Sequence, residues 1–204
     1  MATRQRCRAG IDYASEMSRR THGSDLAVVV LMKLELGAGN RPTRSYEHND
    51  RYAWDHIEHI GVPWMLDLPN NSLEEVLALA FIEHLTFTEA YDTFRNVHRM
   101  LELGGVFIFD VPDYPVWAGY YLAHQRDCVA PIPLDHVRRT LFGWQRWPGD
   151  EHKSGWDKDF LREGLGDAGF TLLEWGVAPF LARGISRRRF YRPEDAHLYV
   201  CAYK

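Results

Sequence analysis

The chain of 204 residues has few cysteines, no long apolar run and no excess of positive charge. Its three cysteines lie far apart without a CxxC pair, which argues against a disulfide framework and against a cysteine zinc site. The longest unbroken apolar run, residues 26–32, is far too short to span a membrane. Lys and Arg number 24 against 28 Asp and Glu, so no global basic field draws the chain onto nucleic acid. We therefore expect a cytoplasmic protein without a membrane partner.

Residues 1–31 are polar and uneven, and they carry several arginines. They lack the ordered basic, apolar and small-residue regions of a secretory signal. Two interpretations stay open: a helix that packs over the first strand, or an upstream extension, since Met32 opens the next run as a natural start would. The length predicts one domain, which we place at residues 32–204.

Short apolar segments alternate with amphipathic helices along most of this domain. An apolar stripe at spacings of three and four predicts a helix that begins at Thr86 or Thr88 and ends before Gly104-Gly105. Residues 70–72 give a turn and helix N-cap signal, and residues 76–81 fit a strand or a buried helix end. Further predicted strands are 33–36, 45–49, 106–111, 170–175 and 197–203, residues 55–60 fit a helical turn or a third strand, and a second helix is predicted at 157–168. Such alternation predicts a parallel sheet with helices on both faces.

Residues 114–156 do not fit the alternation. The segment is long and rich in Trp and Tyr, which is typical of a functional insertion or cap beyond a strand end. Its aromatic side chains either stack on a sugar or base or form the core of the cap.

A glycine loop, Gly37-Ala38-Gly39, follows the first predicted strand, where doubly wound folds bind a nucleotide or nucleoside. Asp50 ends the second strand and is the acid placed to take two ribose hydroxyls. A dinucleotide fold would need a third glycine and an acid about 20 residues farther on. Both are missing, which disfavours NAD binding and predicts a first crossover helix that is short or missing.

Four segments in this order resemble the class I S-adenosylmethionine-dependent methyltransferases, in particular their compact type 11 branch. Residues 34–42, LELGAGNRP, resemble the first motif, and His48-Asn49-Asp50 resembles the end of the second strand. Residues 72–85, SLEEVLALAFIEHL, are similar to the fourth motif region, and 99–105, RMLELGG, to the turn before the fifth strand. The resemblance implies a Rossmann-like, mostly parallel α/β sheet of seven strands with an antiparallel last strand, and S-adenosylmethionine as the cofactor.

The resemblance also implies roles for individual residues. Residues at the first motif would line the methionine part and the sulfonium of the cofactor, Asp50 would hold the ribose, and an acid after the third strand would receive the adenine amino group. Asp67 is the only acid near that place, although an ungapped alignment puts Val62 there. The implied cofactor site is Glu35, Gly37, Ala38, Gly39, Asp50, Asp67 and Leu68.

Methyl transfer needs an aligned donor and acceptor, and a hydroxyl acceptor also needs a base. We take His84, Asp113 and His152 as candidate catalytic residues. His84 follows the fourth strand, where the acceptor should meet the methyl group, and a histidine can take a proton near neutral pH. Asp113 ends the fifth strand on the same edge, and His152 precedes the last long helix.

Other constellations predict other functions. A set of histidines and aspartates near the second strand would indicate a metal-dependent hydrolase or oxygenase if it bound an ion. The spacing of this first set matches no motif, and we expect no metal. A nucleic-acid enzyme would follow if the second set gripped phosphates. The first set is His48, Asp50, Asp55, His56 and His59, and the second is Arg183, Arg187, Arg188, Arg189 and Arg192.

The reading that we favour is an S-adenosylmethionine-dependent methyltransferase that methylates oxygen or nitrogen of a small-molecule or glycan-like acceptor. Residues 114–156 would close over that acceptor. The alternatives are a module that binds the cofactor without catalysis and a nucleic-acid methyltransferase that uses the arginine cluster.

Overall fold

The computed structural model describes residues 31–126, 128–185 and 196–204. In this part of the chain, seven strands form one sheet and five α-helices accompany it. The strands are β1 (Met32–Leu36), β2 (Glu47–Asp50), β3 (His59–Ile60), β4 (Leu73–Leu79), β5 (Leu101–Pro112), β6 (Leu172–Trp175) and β7 (His197–Tyr203). The helices are α1 (Phe87–Met100), α2 (Tyr114–Gln125), α3 (Leu134–Phe142), α4 (Lys158–Ala168) and α5 (Val177–Ala182).

The strand order is β3-β2-β1-β4-β5-β7-β6. Strands β1 to β5 pair in parallel, and β7 runs antiparallel to both of its neighbours. The mostly parallel sheet with an antiparallel last strand is therefore confirmed. The chain moves outward from β1 to β3 and then crosses back to β4, so the order reverses between β1 and β4. Sheets of this kind bind ligands outside the carboxyl ends of the strands at such a reversal.

The connection between β1 and β2 is short. Residues 37–46 contain turns and no helix, which confirms the predicted short or missing first crossover helix. Residues 70–72, in contrast, cap no helix, and that prediction was wrong. They form the turn into β4, where the Ser72 N–H donates to the Met100 carbonyl. The central strand β4 contains Glu74 and Glu75 near its start, but residues 76–79 are continuously apolar and buried, a pattern that does not separate strand from helix.

One face of the sheet carries the larger hydrophobic core. Alternate residues of the central strands point to this face, and α1 and α4 cover it. Burial of one large apolar side chain of this kind contributes about 1.5–3 kcal/mol. Its sheet residues include Leu34, Leu36, Val76, Ala78, Phe107, Phe109, Val200 and Ala202.

The other face carries a smaller core, which α5 covers through Phe180. Leu77, Ile108 and Cys201 are fully buried there. Helices thus lie on both faces, as the alternation predicts.

Residues 114–156 contain α2 and α3, which pack on each other around Trp117, Ile132 and Val137. Part of the aromatic content is therefore a local core. Trp156 is different, because it is buried in the main core against α1 and α4. The segment thus has a core of its own and is anchored to the sheet domain at its end.

Within the described ranges, none of the helices has the length and apolarity needed to cross a bilayer.

The N-terminus of α1 is closed by a capping box. The Thr86 hydroxyl accepts from the Glu89 N–H, and the Glu89 carboxylate accepts from the Thr86 N–H. We expect Thr86→Ala to lower the free energy of unfolding by about 1 kcal/mol, because the cap is lost. Thr88→Ala is the matched control, since Thr88 is exposed inside the first turn and alanine favours the helix. Urea unfolding of both variants measures the difference, and equal losses would contradict the assignment of the cap.

Candidate functional site

The glycine loop lies at the carboxyl end of β1, as expected. Gly37 and Gly39 have φ of +61° and +58°, values that favour glycine. The ring of Phe81, from the loop after β4, packs where a Cβ of Gly37 would stand. The two loops that flank the reversal of strand order are therefore in direct contact, and any larger residue at position 37 would push them apart.

Asp50 lies at the carboxyl end of β2, beside the glycine loop. Its two carboxylate oxygens accept from the Gly39 N–H and the Tyr52 N–H, each at 2.9 Å. His56 Nε2 lies 2.7 Å from the Gly39 carbonyl and supports the loop from outside. Each carboxylate oxygen can accept a further hydrogen bond, so a bound diol could share the group. The structure thus brings Asp50 and Gly39 together.

Glu35 is almost fully buried in β1. Its carboxylate accepts from the N–H and the hydroxyl of Thr43, at 2.6 and 2.8 Å. It therefore fixes the far end of the segment that follows the glycine loop, and its effect on a ligand in that loop is one of support.

Asp67 and Leu68 lie elsewhere than we expected. The Leu68 carbonyl accepts from Arg99, in the last turn of α1, and the chain then enters β4 at its amino end. Both residues are thus near the amino edge of the sheet, away from Gly39 and Asp50. Asp67 was predicted only because it is the nearest acidic residue. The chain, however, passes along α1 toward the amino edge of the sheet before it reaches Asp67.

The turn after β4 carries the second half of the site. Ala80 has φ of +48°, and its N–H donates to Oδ1 of Asp110 at 3.0 Å. The chain then forms one 3-10 turn, Ile82–His84. The Glu83 carbonyl accepts from the N–H groups of Lys153 and Ser154 at 2.8 and 3.2 Å. These bonds hold the end of the 114–156 segment against the turn after β4.

This contact brings His84 and His152 together. Their ring centroids are 4.8 Å apart with the rings nearly perpendicular. His84 Nδ1 lies 3.1 Å from the Glu151 carbonyl, which accepts a hydrogen bond from Nδ1–H. The lone pair of the neutral ring is therefore on Nε2. Two of the three candidate catalytic residues therefore meet, although 67 residues separate them in the sequence.

Burial lowers the pKa of both histidines. Desolvation is the main cause, and the pKa of His152 falls to about 4, with the neighbouring His84 as a second cause. Burial also raises the pKa of the Glu83 carboxyl well above its usual range, and the nearby Asp110 carboxylate adds to this. Burial therefore favours the neutral form of all three groups at this edge.

Asp113, the third candidate, begins α2 at the same edge. Its backbone pairs with Trp156. A pair that the sequence analysis missed lies below: Asp110 is fully buried and its Oδ2 is 2.9 Å from His197 Nδ1. A buried acid at the end of β5 facing a histidine of β7 follows only from the antiparallel register of the two strands.

A cleft of about 350 Å³ opens beside His152. Aromatic and aliphatic residues form much of its lining, together with the segment that follows His152. The lining residues are Phe87, Tyr114, Leu141, Phe142, His152, Lys153, Ser154 and Gly155. A ligand in this cleft reaches the imidazole of His152.

The first of the two competing constellations does not assemble in the part of the chain that the structure describes, and most of the second lies outside that part. The expected histidine–carboxylate set near β2 is spread over separate local contacts: His48 bonds Glu58, His56 bonds the glycine loop, and His59 bonds Glu47. The only close His/Cys/Asp/Glu cluster found among the described residues is Glu83, His84 and His152. Of the arginines, Arg183 is held by Glu75 and Tyr203, and Arg187, Arg188, Arg189 and Arg192 lie outside the described residues.

Comparison of the sequence with known protein families and with curated proteins finds no match. Solved structures do match. An S-adenosylmethionine-dependent methyltransferase from Mesorhizobium loti is 19% identical, with a TM-score of 0.51 over 85% of this chain and 91% of that one. One from Archaeoglobus fulgidus is 12% identical, with a TM-score of 0.52 over 85% and 86%. A candidate O-methyltransferase from Nostoc punctiforme is 14% identical at 0.51, and the chain spans about half of it, 51%. The chain therefore has the class I methyltransferase fold.

The lowered pKa of His152 makes stability depend on pH. The unfolded histidine titrates near pH 6.5, so between about pH 6.5 and 4 the unfolded state binds more protons than the folded state. Stability is full above pH 6.5 and falls as the pH falls toward 4. We expect His152→Gln to remove about 2 kcal/mol of the loss between pH 7 and 5, measured by urea unfolding. His59→Gln, in β3, is the control. An unchanged pH dependence in His152→Gln would contradict the assignment.

Proposed function

We propose that the chain binds S-adenosylmethionine at the glycine loop and transfers its methyl group to a small-molecule or glycan-like acceptor. The observation that carries the proposal is the contact of Asp50 with Gly39 at the reversal of strand order, in a sheet of the class I methyltransferase type. This is where such sheets bind nucleosides. The backbone of Gly37, Ala38 and Gly39 would face the methionine part, and Asp50 the ribose.

The placement of two expected cofactor residues changes their part in the proposal. Asp67 and Leu68 lie near the amino edge, so we assign the adenine no acid from the described residues near β3. Val62, which directly follows β3 and Gly61, takes the corresponding position in the chain. Glu35 acts through Thr43 and supports the loop.

The acceptor would enter by the cleft beside His152. In the transfer, an acceptor oxygen or nitrogen forms a bond to the methyl carbon while the carbon–sulfur bond breaks, and its electron pair stays on sulfur. The sulfonium becomes a neutral thioether, and the proton of the acceptor leaves to a base or to solvent. His84 and His152 offer neutral imidazoles at this place, whose lone pairs can take a proton or bind a cation. Asp113 begins α2 beyond them.

Small acceptors suit the dimensions of the cleft, whose volume is about 350 Å³. Arg183, already engaged by Glu75 and Tyr203, contributes no free charge for a phosphate backbone. A cytoplasmic location is part of the same proposal. It is supported by the small number of cysteines and by the free thiols of Cys128 and Cys201, which are typical of a reducing compartment.

The binding step is tested by calorimetric titration of S-adenosylhomocysteine into the wild-type chain, Asp50→Asn and Asp67→Asn. We expect wild-type binding in the micromolar range and at least ~10-fold weaker binding to Asp50→Asn, because a charged hydrogen bond is worth about 1.5–3 kcal/mol. Asp67→Asn is the matched control and should bind like the wild type. Urea unfolding of each variant separates loss of the ligand contact from loss of the fold.

Two outcomes would contradict this proposal. Absence of binding to folded wild-type protein removes the cofactor, and equal loss in Asp67→Asn and Asp50→Asn removes the assigned site. Binding without transfer of a labelled methyl group to any of a pool of small hydroxyl and amine acceptors would favour the non-catalytic module.

A further inference from the structure

The cluster at the turn after β4 has the composition of a metal site. One ligand atom from each of Glu83, His84 and His152 lies within 4.8 Å of the other two. Two imidazoles and one carboxylate form the donor set of many catalytic zinc and non-haem iron sites. Ligand atoms about 2.1 Å from a tetrahedral ion are about 3.4 Å apart. Small side-chain rotations that close the cluster by little more than 1 Å therefore suffice.

The carboxyl of Glu83 lacks the partner that its burial requires. The residue is 2% exposed, and its Oε2 has no hydrogen-bond partner among the residues that the structure describes. Buried polar atoms are satisfied in the great majority of cases, because an unpaired one costs about 1–3 kcal/mol. The nearby Asp110 carboxylate repels a negative charge on Glu83. A cation between Glu83 and the two histidines would satisfy this oxygen and offset the repulsion.

His84 is oriented as metal-ligating histidines usually are. Its Nδ1–H donates a hydrogen bond to the Glu151 carbonyl, so Nε2 presents a lone pair, and such a bond from the far ring nitrogen is the common support of a metal-bound histidine. The backbone N–H of His152 donates to the Phe142 carbonyl at 3.1 Å, which fixes the main chain at this residue. The backbone bonds of Lys153 and Ser154 to Glu83 lock the two halves of the cluster to each other.

We propose that Glu83, His84 and His152 bind one divalent transition-metal ion at the acceptor end of the site. Three protein ligands leave at least one coordination position open, and the cleft that His152 lines gives access to it. The open position suits an oxygen ligand. Of the oxygen and nitrogen acceptors in the proposed function, this favours a hydroxyl compound.

The part of this inference that concerns the acceptor rests on the proposed function. A hydroxyl bound to the metal gives up its proton to solvent more readily, its oxygen then bonds to the methyl carbon, and the carbon–sulfur electron pair remains on sulfur. The binding of the ion itself does not depend on that function.

The test is a calorimetric titration of Zn²⁺ into chelator-treated, full-length protein near pH 7.5, together with the visible absorption of bound Co²⁺. We expect one ion per chain with a Kd in the micromolar range or below, and intense Co²⁺ absorption of a low-coordinate site. His84→Ala and His152→Ala should each weaken binding at least ~100-fold and abolish the absorption. His59→Ala, a histidine of β3 paired with Glu47, is the matched control and should leave both unchanged.

Glu83→Gln and His152→Gln keep the test decisive if an alanine variant does not fold, because each preserves the shape of the side chain. Both should bind Zn²⁺ at least ~30-fold more weakly, while far-ultraviolet circular dichroism and the urea midpoint stay close to the wild type. Absence of stoichiometric binding, binding that survives these substitutions, or binding that His59→Ala removes would each overturn the proposal.

The S-adenosylhomocysteine titration, repeated with chelator present, separates this inference from the proposed function. Ion binding without binding of S-adenosylhomocysteine leaves the metal site intact and removes the methyltransferase function, and the reverse result removes the metal site alone.

Discussion

The two bonds to the Glu83 carbonyl are the interaction on which the site depends. The N–H groups of Lys153 and Ser154 donate to this one oxygen, and through it a segment from the end of the α2–α3 region is fastened to the turn after β4. Together with the hydrogen bond of His84 to the Glu151 carbonyl, these bonds fix the position of His152 relative to His84. The strand order sets the rest, because it puts the turn after β4 next to the glycine loop of β1, where Phe81 lies on Gly37. The proposed cofactor and acceptor regions are thus joined through residues 81–83 of one turn.

At this edge of the sheet, burial affects the acidic side chains more than pairing with other charged groups does. Glu83 and Asp110 are both nearly or fully inaccessible, and Asp110 has a histidine partner whereas an oxygen of Glu83 has none. Natural folds tolerate such a group where a ligand completes it, since the free energy lost on folding is recovered on binding. The same reasoning separates this edge from the acids near β2, where Asp50 is satisfied by two backbone N–H groups before any ligand arrives.

Much of the fold could be predicted from the sequence, because its signals are local. The predictions of the glycine loop, the capped helix α1 and the strand β5 each depend on residues within one element. The short first crossover was predicted from the small number of residues between Gly39 and Asp50. The position of Asp67 could not be predicted, since it depends on how far the chain descends along α1 after β3. The meeting of His84 with His152 could not be predicted either, because it rests on backbone bonds between segments about 70 residues apart. Glu83 was passed over because a Glu beside a His on a turn gives no sign of its burial.

Trp156 has a consequence for how the acceptor region can move. Its indole is packed in the main core, and its Nε1 donates to the Ser154 hydroxyl, so the chain from residue 152 to residue 156 is part of the rigid body of the sheet domain. The α2–α3 pair, in contrast, has a separate small core around Trp117. A movement of α3 relative to the sheet domain would therefore leave residues 152–156 in place. In the proposed function, reactant and product would enter and leave on the side of α3, while the imidazole of His152 keeps its position in the sheet domain.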